Sequence, residues 1–245
     1  MTEDWIKPER GPDGVVTLVL DGGPVNALTA DRLEVFAEVV ESMNAEALVI
    51  ASAHRVLSAG LNLKYAQGAD AGEAARIVAG LNRAFVALYA APVPVVCAAA
   101  GSAIAGGLFF VLASDWRIAG HEAQFGLAEV RVGVDFPAGP LGIAQAELGP
   151  VEARRLMLPG QPIGAQAALE RGIVDEVLPP DAVLAAAKAK ASAMAQSPPA
   201  AFARVKSQLR GQTLAAIRAA CRAEEASDTA WISDTARAAM ARMLA

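Results

Sequence analysis

The chain has 245 residues, 54% hydrophobic and 19% charged, with a net charge of −5. That is enough for one sizeable core but too short for two large domains, and the basic footprint of a nucleic-acid binder is missing. Cys97 and Cys221 are the only cysteines, which supports neither a disulfide framework nor a cysteine metal site and points to a reducing, cytoplasmic setting.

The stretch from Met1 to Arg10 carries Glu3, Asp4, Lys7, Glu9 and Arg10 and lacks the apolar core of a signal peptide. Val15 to Val19 is rich in β-branched residues and ends at Asp21-Gly22-Gly23-Pro24, the pattern of a strand followed by a turn. Thr29 opens a helix whose apolar period runs through Leu33, Phe36, Val39 and Val40 towards Met43-Asn44. A short strand, Ala47 to Ala51, follows. Ser58 to Leu63 reads as a loop, and Glu73 to Tyr89 as a long amphipathic helix.

No charged residue occurs between Arg83 and Asp115, a stretch longer than the roughly 20 apolar residues that span a bilayer. Pro92, Pro94, Gly101, Gly106 and Gly107 interrupt it, however, and much of it is alanine, which adds little transfer energy. A buried strand over Pro94 to Ala99, a glycine turn and a shielded helix over Leu108 to Leu112 is the preferred reading, with no membrane partner expected. Arg117 to Ala119 forms a further strand candidate, and Gln124 to Glu129 leads to Gly133. From Pro180 the chain is alanine-rich and helical in pattern, broken at Ser197-Pro198-Pro199, with an apolar stripe suited to subunit packing. The alternation predicts an α/β architecture with a core over residues 1–180 and a helical region over 181–245.

The familiar catalytic signatures are missing. There is no Gly-x-Ser-x-Gly elbow, His54 and His121 lack partners at zinc-ligand spacing, and Gly107-Leu108 stands where a phosphate loop needs Lys-Ser/Thr. No metal is expected. Two glycine turns remain, Ser58-Ala59-Gly60-Leu61 and Ala105-Gly106-Gly107-Leu108. Glycine there can simply permit a tight path, but the second turn runs into the helix bearing Phe109 and Phe110, so its free N–H groups form a prospective anion or oxyanion site.

The succession Pro24-Val25-Asn26-Ala27-Leu28, Ser58-Ala59-Gly60-Leu61-Asn62-Leu63, Ala105-Gly106-Gly107 ending at Ser114-Asp115-Trp116-Arg117, and Phe125-Gly126-Leu127-Ala128-Glu129 through Gly133 resembles the crotonase (enoyl-CoA hydratase/isomerase) superfamily. Ala165 to Val177 is similar to the same family's segment beyond the core, so the likeness covers nearly the whole chain. It implies a spiral of ββα units, a C-terminal helical part that packs in homotrimers or homohexamers, and an acyl-CoA thioester as substrate, with no separate cofactor. By the same resemblance the thioester carbonyl lies between the N–H groups of Leu61 and Gly106. The substrate passes Ala27, Ala59, Gly60, Lys64, Gly107 and Phe109, and Glu129 occupies the position of a catalytic glutamate. A solvated surface lysine is the ordinary alternative for Lys64.

Paired N–H donors stabilise the charge that develops when a proton leaves the carbon next to a thioester, and a carboxylate buried nearby can remove it. Hydratases of the resembled family use a second glutamate three residues after the oxyanion-hole glycine. Phe109 stands there and can neither accept a proton nor orient water. The wording is closer to single-glutamate enoyl-CoA isomerases, which implies 3-enoyl-CoA to 2-enoyl-CoA isomerisation by Glu129. Asp135 is a second candidate acid, with a turn-capping aspartate as its plain alternative. Asn62, where the family commonly has Asp, is expected to affect loop hydrogen bonding. Three readings stay open beside isomerisation: hydration, another acyl-CoA lyase or hydrolase reaction, and acyl-CoA binding without catalysis.

Overall fold

A computed structural model describes residues 5–227 and 231–244; residues 1–4, part of the segment read above for a leader, lie outside them. The central sheet has six strands in the order β1-β2-β3-β4-β6-β9. They are β1 (Ile6–Arg10), β2 (Val15–Leu20), β3 (Ala47–Ser52), β4 (Val95–Ala99), β6 (Trp116–Gly120) and β9 (Glu176–Leu178). β1 pairs antiparallel with β2, and the remaining pairs are parallel.

Strands with a two-residue period and both faces buried read as continuous apolar runs. Thus Leu48 and Ile50 of β3 face the main core, while Ala47, Val49 and Ala51 face a second, smaller cluster. β1 escapes a sequence reading because IKPER is mostly charged and contains proline; it is an edge strand with four exposed residues, where both are tolerated.

The main core is covered by α1 (Ala30–Ser42), α3 (Ala71–Ala90), α4 (Leu108–Leu112) and α6 (Ala138–Met157). Local caps open two of these: Thr29 Oγ1, as expected, accepts from the N–H of Arg32, and Asp70, which the sequence reading passed over, accepts from the N–H of Glu73. Phe36, Phe85 and Phe110 form its aromatic centre, with ring centroids 5.1 and 5.2 Å apart.

α6 also escapes a sequence reading. Gly139, Pro140, Gly142, Gly149 and Pro150 all argue against a helix locally. Pro140 sits in the first turn, where its missing N–H costs nothing, and the kink falls at Gly149, whose φ is 63°. Its N-terminus is capped from far away, as the Glu224 carboxylate accepts from the N–H of Ala138 at 3.2 Å.

A smaller sheet, β5-β7-β8, joins Ala103–Ile104, Gln124–Gly126 and Ile163–Gly164. The short helices α2 (Leu63–Gly68), α5 (Glu129–Val132) and α7 (Ala165–Glu170) complete the core. Beyond position 180, Val183, Ala187 and Ala191 of α8 (Pro180–Ala195) cover the second face of the main sheet. α9 (Pro199–Glu225) is tied to the core by a buried charge cluster. Asp115 receives Lys206 at 2.6 Å and Arg210 at 2.9 Å, and Arg117 pairs with Glu147. α10 (Asp234–Leu244) returns to α2 and α5. Among the described residues no helix is long and apolar enough to cross a membrane.

Candidate active site

The two glycine turns meet in space. The chain at Ser58 runs beside Ala103, and Ser58 O accepts from the N–H of Ile104 at 3.0 Å. Leu61 bridges Leu28, with the N–H of Leu28 donating to Gly60 O at 2.8 Å and that of Asn62 donating to Leu28 O at 2.8 Å. The N–H of Ala59 goes to Val25 O and that of Gly60 to Ser58 Oγ. The amides of Leu28, Ala59, Gly60 and Asn62 are therefore engaged, while no acceptor for the Leu61 N–H lies among the described residues. Gly106 lies in a single 3₁₀ turn, Ala105–Gly107, where first-turn N–H groups have no intrahelical partner.

Gly60 shows how closely the turns approach. Its φ is +81°, and a Cβ there would lie 2.9 Å from Ala105 Cβ, Gly106 N and Ile104 O. Only glycine suits both the backbone conformation and the space. Gly107 has a different reason: a Cβ there would sit 2.2 Å from Ser58 O. Ala105 takes φ +50°, a strained conformation for a residue with a side chain, at the corner that presents the Gly106 amide.

Leu61, Gly106, Ala59, Phe109 and Glu129 all line one cavity of about 120 Å³. Glu129 opens α5 and is 8% exposed, and its Oε2 is buried without a hydrogen-bond partner. Burial pushes its pKa up to about 8, because removing the carboxylate from water disfavours the charged form. Phe109, one turn beyond Gly106, packs on Phe85 and Phe136 with centroids 5.4 and 6.4 Å away. The remaining wall is apolar.

Other expected residues fall elsewhere. The Asp135 side chain is exposed and does not line the cavity, whereas its neighbours Val134 and Phe136 do. The loop spends Asp135 on its backbone, whose carbonyl accepts from Trp231 Nε1 at 3.2 Å. Ala27 is half-buried, its carbonyl receiving Arg32 at 2.7 Å, and Lys64 is exposed on α2; neither lines the cavity. Gly107 is buried against Ser58, and its requirement is close packing. Asn62 caps α2 by accepting from the N–H of Tyr65 at 3.1 Å, a bond that Asp could also make.

The cavity also has walls that sequence reading missed. The region read for subunit packing sends Trp231, Met240 and Met243 into it. The amphipathic pattern of α10 signals a buried face, but nothing local says which surface that face covers.

A family model described as enoyl-CoA hydratase/isomerase matches residues 10–241. The chain belongs to that family. This hydratase/isomerase family member is 33% identical over 202 residues to a probable enoyl-CoA hydratase, EchA17, of Mycobacterium tuberculosis, covering 79% of this chain and 76% of the relative. Its fold matches the solved structure of a probable enoyl-CoA hydratase, EchA3, of M. tuberculosis with a TM-score of 0.85. The identity is 28%, covering 91% of this chain and 95% of that one. An apo enoyl-CoA isomerase structure from M. tuberculosis gives a TM-score of 0.83 at 28% identity, covering 92% and 99%. The spiral α/β architecture expected from the resemblance is thus the fold of this family member.

Proposed function

We propose that this family member isomerises 3-enoyl-CoA to 2-enoyl-CoA with Glu129 as its single acid/base. The observation that carries the reading is that Glu129 is the only ionisable side chain among the described residues lining the cavity, with an unpartnered oxygen inside it. The thioester oxygen would rest against the N–H groups of Leu61 and Gly106. The ionised Glu129 would take a proton from C2, and the electron pair would spread over a dienolate whose oxygen the two amides stabilise. The same carboxyl would return the proton at C4, so the C2–H bond breaks, a C4–H bond forms and nothing is oxidised. One carboxyl suffices because it acts first as base and then as acid.

A pKa near 8 suits that role, since a base matched to the working pH combines a useful ionised fraction with a strong pull on the proton. The apolar wall and the ring of Phe109 favour a dienolate kept from water. Hydration is the second reading, favoured by the names of relatives such as EchA17. Against it stands Phe109, which leaves one carboxyl to do what a pair would otherwise share.

Absorbance assays on 3-hexenoyl-CoA and crotonyl-CoA, with the native chain and Glu129→Gln, separate these readings. Isomerisation predicts turnover of the 3-enoyl thioester that Glu129→Gln abolishes, and negligible hydration. Rapid hydration of crotonyl-CoA with 3-hexenoyl-CoA untouched would overturn the proposal. Binding of both without any turnover would favour a non-catalytic acyl-CoA binder.

A further inference from the structure

We infer that the acyl group accepted by this cavity is an uncharged hydrocarbon chain, and that thioesters bearing a terminal carboxylate are rejected. The inference rests on the acyl-CoA reading above but not on the isomerase step. Besides Glu129 the cavity is walled by Phe109, Val134, Phe136, Trp231, Met240 and Met243, among other apolar residues. None of these can neutralise an anion. The one polar group that they bring, the Trp231 N–H, is already given to Asp135 O at 3.2 Å.

No cation among the described residues lines the cavity, and Arg242, beside Met243 on α10, is exposed outside it. Arg237, one turn before Met240 on α10, donates to Gln67 O at 2.6 Å and does not line the cavity. Arg131 is exposed on α5, with its stem against Gly160. Lys64 is exposed on α2, outside the cavity. A terminal carboxylate would therefore lose its water without gaining a partner, in a space that already holds one carboxyl of its own. A hydrocarbon tail meets the opposite situation. The rings give it rigid contact area, and the two methionines, unbranched and adaptable, fit chains of somewhat different shape.

Isothermal titration of the full chain with hexanoyl-CoA and adipoyl-CoA tests this. The two share six acyl carbons and differ in a methyl against a carboxylate at the far end. The expected result is a Kd for adipoyl-CoA about a hundredfold weaker or more. Equal affinities would overturn the inference. If neither thioester binds, the inference falls together with the acyl-CoA reading. A hexanoyl preference in a protein that isomerises nothing would sustain the selectivity and remove only the isomerase step.

Met243→Lys supplies the missing cation at a cavity residue that is 46% exposed and can carry a charge without unfolding the helix. It should narrow the ratio by about tenfold, whatever it costs in hexanoyl affinity, with an unchanged melting temperature showing that the fold is intact. An unchanged ratio would sink the claim that the lack of a cation sets the preference.

Discussion

Replacing Glu129 by glutamine should stabilise the folded protein, and by more as the pH rises. The carboxyl has an ordinary value of 4.5 and is pushed to about 8 by burial. Below the ordinary value both folded and unfolded chains carry the proton, and the group does not affect stability. Between the two values the unfolded chain ionises while the folded one holds its proton, so stability falls as pH rises. Above the folded value the penalty is complete. At about 1.36 kcal/mol per pKa unit, the cost is about 3 kcal/mol at pH 7 and about 5 kcal/mol beyond pH 8. Glutamine keeps the shape of the neutral carboxyl and never ionises. At roughly 2–4 °C per kcal/mol for a chain of this size, the variant should melt some 6–12 °C higher at pH 7.

The assay is a melting series of both proteins at pH 5, 6, 7 and 8 at constant ionic strength, read as the difference between them. All other titrations are shared and cancel in that difference, and any offset from burying an amide does not depend on pH. A gap that stays constant from pH 5 to pH 8 would refute the argument, because it would mean that Glu129 titrates alike in both states. A widening gap together with lost turnover would mark a carboxyl retained for chemistry at the expense of stability.

The remaining predictions concern turnover and the core. kcat/KM for 3-hexenoyl-CoA should rise about tenfold per pH unit up to about 8 and then level, since only the ionised carboxylate accepts a proton; a flat profile from pH 6 to 9 would count against Glu129 as the base. Gly60→Ala should lower kcat by about 10²–10³-fold, measured at saturating substrate, because its Cβ would push against the Gly106 amide. Asp135→Asn should leave turnover unchanged, since its side chain lies outside the cavity; a large fall in kcat would return Asp135 to the list of acids. Asp115→Ala should cost about 3–5 kcal/mol in chemical denaturation, by leaving Lys206 and Arg210 buried without their carboxylate.

Much of the framework was legible in the sequence because its causes are local. The strands at 15–20, 47–52 and 95–99 announce themselves as apolar runs, and Thr29 marks its helix start by its own side chain. The Ser58-Ala59-Gly60-Leu61 and Ala105-Gly106-Gly107 turns stand out by their glycines, whereas Glu129 was marked only by the resemblance to the crotonase superfamily. Only the tertiary structure decided the rest. It brought Gly60 against Gly106 from 46 positions away and left Asp135 outside the cavity. It capped α6 with Glu224 from 86 residues away and turned α10, read as packing surface, into a cavity wall. It also set the protonation of Glu129, which no neighbour in sequence could foretell. Periodicity and caps act over a few residues, whereas desolvation depends on whichever atoms the whole fold places around a group.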